Sequence, residues 1–405
     1  MKKKSIFNSG FFFLALVVYL VVETNYDWNQ SQLLHWGAVG LLMLAYIFKD
    51  GGVIDFKFRD YSCWMLGVLI MSVFSCVFAS NVGNAINIIK SLVVIFVAFF
   101  MIRNYMTDEE KVNDVIKAYT ISILINMFYV ITNIDLSIIG EDRLGVDAIE
   151  GWNANSIGLM AATAAILCIY LLLKSNLVIK LVYLLCIGFL VYVFVYTGSR
   201  KAIILFVACM LIMLFASNPR KIIRNTLLSV LILVVAYKLV MNVESIYNVL
   251  GVRLEDLFAS FNGEQDVESS ILLRQEYIEN GIMWIKDAPF LGYGVDAYRS
   301  LNGPLTGHYT YSHNNFIEVA INWGIVGFVY YYSIYFTIIK KFFKILKNNI
   351  LAVTIFALFI GNLFMHYGMV VYFEIWQNLL LCISVAMISN KTKNSLEVQN
   401  DKENI

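Results

Sequence analysis

Apolar residues in this chain are gathered into long runs separated by short polar intervals. The runs lie near residues 6–22, 32–48, 62–79, 85–102, 112–133, 156–173, 178–197, 201–216, 226–241, 314–339, 350–368 and 370–388. A helix needs about 20 apolar residues to cross the ~30 Å hydrocarbon core of a bilayer. The pattern predicts an all-α, polytopic membrane protein of about twelve transmembrane helices. One polar interval is far longer than the others, residues 242–312. The expected organisation is helices one to nine over 1–241, a large loop over 242–312, helices ten to twelve over 313–389, and a disordered polar tail over 390–405. Inside the loop, "SSILLRQEYIENGIMWI" sets Leu273, Tyr277, Gly281 and Trp284 on one face, which predicts an amphipathic helix at the membrane interface.

Charge adds a direction. Lys2–Lys4, Lys49, Lys57, Arg59, Arg103, Lys111, Lys174, Lys180, Arg220, Lys221, Arg224, Lys340, Lys341, Lys344, Lys347, Lys391, Lys393 and Lys402 are 20 of the 30 basic residues, and they fall in every second interval. Cytoplasmic loops carry such an excess, so both termini are expected inside and the 242–312 loop outside. That loop holds ten acidic residues and four basic ones. The Lys2–Lys4 start with its apolar sequel lacks a small-residue cleavage site, which predicts a retained first helix.

Composition narrows the classes. The chain is 60% hydrophobic and 15% charged, with a net charge of +1. No basic field exists for nucleic acid. All six cysteines sit in apolar runs, with no disulfide or zinc spacing. "EQDVE" (264–268) clusters carboxylates without a histidine, and Gly292-Tyr293-Gly294 lacks the third glycine of a dinucleotide fingerprint. No metal and no cofactor is expected. A transporter is the reading from another class, against which stand the single large loop and the lack of a visible inverted repeat.

The chemistry is expected where basic or imidazole side chains break the outside rule. Spans running inward present free N–H groups and a positive dipole end at the outer face. Three such spans open on "NANS" (153–156), "TGSR" (197–200) and "SHNN" (312–315), and Asn and Ser are good caps. With Arg143, Arg200 and His313 beside them, these starts suit an anion such as phosphate or pyrophosphate. The dipole end should disfavour the protonated form of His313, leaving a neutral imidazole able to accept a proton. The plainer readings are a helix cap for His313, a headgroup anchor for Arg200 and a snorkelling side chain for Arg274. Gly324 and Gly327 suggest close helix packing.

Four segments taken together resemble the O-antigen ligase and polymerase family. They are "RLGVDAIEGWNANSIG" (143–158), "TGSRKA" (197–202), "LLRQEYIENGIMWIKDAPFLGYGVDAY" (272–298) and "HNNFIEVAINWGIVG" (313–327), in family order over about half the chain. "WNANS" departs from the Pro-Asn pair usual there. The resemblance implies a metal-independent glycosyltransferase of the bacterial cytoplasmic membrane. Its donor would be a glycan on undecaprenyl pyrophosphate, and its acceptor a sugar hydroxyl. By motif match His313 assists or orients that hydroxyl, and Arg200, Arg274 and more weakly Arg143 hold the pyrophosphate. Lys90, about 12 Å below the outer end of its span, Asn314 and Tyr309 are candidates to line the groove; His366 and Glu374 lie near its mouth. Implied partners are the lipid-linked donor, the glycan acceptor, membrane lipids, and a flippase and chain-length regulator of the same pathway. Polymerase and ligase share these motifs; the abundance of Ile, Asn and Lys, typical of AT-rich genomes, tilts the reading to polymerase.

Overall fold

The computed structural model describes residues 2–25, 28–49, 57–134, 144, 153–217, 219–261, 269–347 and 349–403. Among these residues every regular element is helical. The first nine helices are α1 (Lys2–Asn25), α2 (Trp28–Phe48), α3 (Asp60–Ser75), α4 (Val82–Tyr105), α5 (Glu109–Thr132), α6 (Ala154–Lys174), α7 (Leu177–Tyr196), α8 (Arg200–Ser217) and α9 (Ile222–Asn242). The long interval then holds a single turn α10 (Glu244–Ile246), α11 (Val252–Phe261), α12 (Ser269–Asp287) and α13 (Ala297–Thr306). The chain closes with α14 (Asn315–Phe342), α15 (Ile350–Met365) and α16 (Ile375–Glu403).

Each apolar run falls wholly or largely within a helix. Among the described residues eight helices, α2 to α7, α9 and α14, are long and apolar enough to cross a membrane, and stretches of α1 and α15 are apolar but shorter. The chain is a multi-pass helical membrane protein. Helix starts follow the capping chemistry of short polar side chains. Asn81, Asp108, Asn153, Asn176 and Asn349 each accept a hydrogen bond from a backbone N–H of the first turn of the helix that follows.

The core lies around α6 and α15, whose residues are buried on nearly every face. Small side chains make this possible at the start of α6. A Cβ on Gly158 would stand 2.7 Å from Thr197 Oγ1 and 2.9 Å from Ser199 Cβ, so glycine lets the α7–α8 turn close on α6. By contrast α9 exposes Leu227, Val230, Leu231, Val234 and Val235, as a lipid-facing helix does.

Two expectations change. The tail from Asn390, expected to be disordered, continues α16 as helix to Glu403, while α16 itself begins only at Ile375 after turns and irregular backbone over 366–374. The tenth run is not one straight span. α14 breaks at Gly324, where φ is 61° and ψ is −166°, a region that is essentially glycine-only. Asn315 Nδ2 nevertheless donates to Tyr332 Oη at 2.9 Å. Seventeen residues of straight helix would hold them about 25 Å apart. The halves 315–323 and 325–342 therefore fold into an acute V with Gly324 at the vertex.

Glycine-rich backbone from the loop fills that break. Tyr293 and Gly294 donate to the carbonyls of Ile321 and Asn322 at 2.8 and 3.0 Å, and Ile325 donates to Pro289 O at 2.8 Å. The groups released by breaking the helix are thus paired again, as buried backbone requires. The approach is close enough that a Cβ on Gly324 would stand 2.2 Å from Phe290 O. The same loop backbone also reaches the end of α3, through Val295 N donating to Ser75 Oγ at 3.2 Å.

Candidate active site

The turn that carries His313 is pinned on both sides. Ser312 N donates to Glu318 Oε2 at 2.9 Å, and Ser312 Oγ donates to Asn314 O at 2.7 Å. Asn314 Oδ1 then caps α14, accepting from Phe316 N at 2.9 Å and Ile317 N at 3.2 Å. Between these fixed neighbours His313 takes φ 53°, one of two non-glycine residues with positive φ among the described residues. Such a conformation costs roughly 1–3 kcal/mol and persists where its surroundings impose it.

Aromatic rings bracket the imidazole. Tyr277 of α12 stacks on it at 5.9 Å with 10° between planes, and Tyr311 lies 4.3 Å away. The face of α12 expected at a membrane interface is used here instead. Tyr277 and Trp284 are buried against Tyr298 and Ile321, and a Cβ on Gly281 would collide with Ile317. Tyr298 Oη fixes α12 further by donating to Tyr277 O at 2.8 Å.

The electrostatics are cationic. Burial first, then the charges of Arg274 and Lys201, lower the His313 pKa to about 4. The direction is the one expected from the sequence, but burial and two cations are its sources. Lys201 is in turn within electrostatic reach of Arg274 and Arg200, so Arg200 adjoins the pair of cations that acts on His313. Arg200 Nη1 donates to Arg253 O at 3.0 Å, and Lys201 Nζ donates to Gly368 O. The Tyr311 hydroxyl is pushed up by burial and by Glu374 and Glu318, with Arg274 opposing. Carboxylates and arginine thus meet around this ring.

The helix starts singled out in the sequence converge as well. Asn153 caps α6, while Ser199 Oγ donates to Asn155 Oδ1 at 3.1 Å, tying the α6 and α8 starts together. Asn315 joins the α14 start to the α15–α16 turn, its Oδ1 accepting from Val371 N and Tyr372 N and its Nδ2 lying 3.4 Å from His366 Nδ1. His366 is buried behind this contact.

The remaining candidates are placed less centrally. Arg143 lies outside the described residues, but the adjoining Leu144 donates to Tyr196 O at 2.9 Å, beside the α7–α8 turn. Lys90 is exposed on α4; the α4 residue that reaches the loop is Asn84, which hydrogen-bonds Asp296. Tyr309 is exposed and covers Gly303, and the side chain of Asn314 is occupied as a cap. Sequence reasoning left Lys201 and Glu318 unassigned. Lys201 was visible as a second cation directly after Arg200, and Glu318 as a carboxylate inside an apolar run, where charge is costly.

Fold and site together define a helical membrane protein in which a loop-and-helix wedge holds a neutral histidine against clustered cations. Residues 185–332 match the family model described as O-antigen ligase, so this part of the chain is similar to that family. The match runs from α7 into the second half of α14 and contains Arg200, Lys201, Arg274, His313 and Glu318. No curated protein matches the chain.

Proposed function

We propose that the protein polymerises polysaccharide on the outer face of the bacterial cytoplasmic membrane, joining repeat units delivered on undecaprenyl pyrophosphate. An acceptor sugar hydroxyl attacks the anomeric carbon of the donor glycan. The bond from that carbon to the pyrophosphate oxygen breaks, and the lipid pyrophosphate leaves with the electron pair. His313 takes the hydroxyl proton. Arg200, Arg274 and Lys201 bind the pyrophosphate and stabilise the charge that grows on it, and Arg143 is retained as a further ligand from the α5–α6 interval. The loop of residues 242–312 is the extracytoplasmic half of the site, and both termini are cytoplasmic.

The observation that carries this reading is the His313 turn, held at positive φ between Tyr277 and Tyr311, where burial first and then the charges of Arg274 and Lys201 disfavour the protonated imidazole. Removing the imidazole should lower turnover by ~10²–10⁴-fold, the usual worth of general acid–base help. Donor binding to a His313→Ala variant should change far less. The assay is polymer growth on gels by purified protein given lipid-linked repeat units. Near-normal polymer from well-folded His313→Ala protein would reduce the residue to part of a helix turn. A ligase reading makes a separate forecast from the same assay. Growth with lipid-linked units as both donor and acceptor supports a polymerase; transfer only after a distinct acceptor is added supports a ligase.

A further inference from the structure

At the opposite end of α14 from His313, a cleft of about 780 Å³ opens between the ends of α6 and α14 and the starts of α5 and α15. Lys174, Lys341, Lys344, Lys347 and Lys391 line it, against one carboxylate among the described residues, Glu109. These lysines come from α6, from α14 and the turn after it, and from α16. Basic residues collect on one face of membrane proteins in general, but that bias asks only for exposure to water. Here five charges from three separate stretches converge on one concavity. The α15 start at Asn349 and Ile350 also borders it, adding the positive end of a helix dipole.

A second feature says what kind of anion would fit. Lys341 and Ile388 are shared with a neighbouring crevice of about 270 Å³ between α3, α14 and α16. Trp64, Ile334, Ile338 and Val385 supply much of its wall. Its one carboxylate, Asp60, is already engaged by Arg103, whose Nε and Nη2 each lie 3.1 Å from Oδ1. A free phosphate would use the lysine cleft alone. A molecule with a phosphate and a hydrocarbon chain would use both spaces through their common wall. We propose that cleft and crevice together bind one anionic phospholipid, with its phosphate among the lysines and an acyl chain along the crevice.

The test is thermal stability of the full-length protein in detergent, titrated separately with phosphatidylglycerol, phosphatidylcholine and inorganic phosphate. Phosphatidylglycerol should raise Tm saturably and at lower concentration than phosphatidylcholine, and phosphate alone should not reproduce the shift. Replacing Lys341, Lys344 and Lys347 together by Gln should weaken the phosphatidylglycerol response about 10- to 100-fold, given the usual worth of a lysine near an anionic headgroup. Thr337→Trp leaves all five lysines in place and fills the crevice from an exposed position. It should weaken the response at least tenfold, and it keeps the test open if the triple variant does not fold. Equal stabilisation by phosphatidylcholine would overturn the proposal, as would an undiminished response in Thr337→Trp. A phosphate response equal to that of the lipid would also overturn it, since the site would then serve a free anion.

Discussion

In the proposed reaction His313 is a base whose strength its neighbours set. Burial, Arg274 and Lys201 hold its pKa down at about 4. A bound pyrophosphate would neutralise both cations, so the imidazole should become more basic when the donor arrives. The sign is testable. The acidic limb of kcat/KM, which reports the free enzyme, should lie near pH 4, and the acidic limb of kcat should lie at higher pH. Coincident limbs would mean that donor and histidine do not sense each other. The arginines allow a second test, because Lys keeps the charge of Arg but loses its planar fork. Arg200→Lys and Arg274→Lys should each cost about 1.5–3 kcal/mol, the worth of a charged hydrogen bond, or roughly 10- to 150-fold in rate. Full synthesis by both variants would leave them as anchors. At this scale the sequence was legible where a charge broke a pattern, as at Arg200 and His313. It was silent on Tyr277 and Tyr311 as the walls of the imidazole, because aromatic residues at a membrane surface have a commoner role.

At the scale of an element, the bent α14 decides where the site sits. Its first half presents the His313 turn to α8 and α12, and the loop backbone pairs the groups left free at the vertex. Gly324→Ala should therefore be severe. The backbone conformation alone costs about 1–3 kcal/mol for a residue with a side chain, and the new methyl would press on the Phe290 carbonyl as well. Gly307 is the control, for it has φ 79° but open space around it. Alanine there should carry the backbone cost alone and lower Tm moderately with activity kept, whereas alanine at 324 should abolish activity or the folded protein. Equal effects at the two positions would remove the vertex from the argument. The helices themselves were legible, since each apolar run became helix. The break was not. Two glycines three residues apart in an apolar run signal packing as readily as bending, and only the partner backbone at 289–294 distinguishes the two.

For the molecule as a whole, the proposed orientation rests on where the basic residues lie, and side-chain burial refines how to test it. Asn302 is fully buried and Tyr309 is exposed, so Tyr309 is the better reporter of the loop. In a background without the native cysteines, Tyr309→Cys should react with an impermeant thiol reagent on intact cells. Arg220→Cys, in an interval of the basic set, should react only after lysis. The reverse pattern would turn the protein over and detach the proposed chemistry from its face. The polar spacing marked the long interval between α9 and α14, but not that α12 within it packs onto α13 and α14. The pairing of Tyr293, Gly294 and Ile325 across the α14 break has a further consequence, for how such proteins diversify. A loop that completes a membrane helix is not an exchangeable cassette. Transplanting residues 269–314 from a relative with another sugar preference should yield a working hybrid only when the stretch around Gly324 travels with it. Specificity would then be inherited as a block that crosses the boundary between loop and membrane.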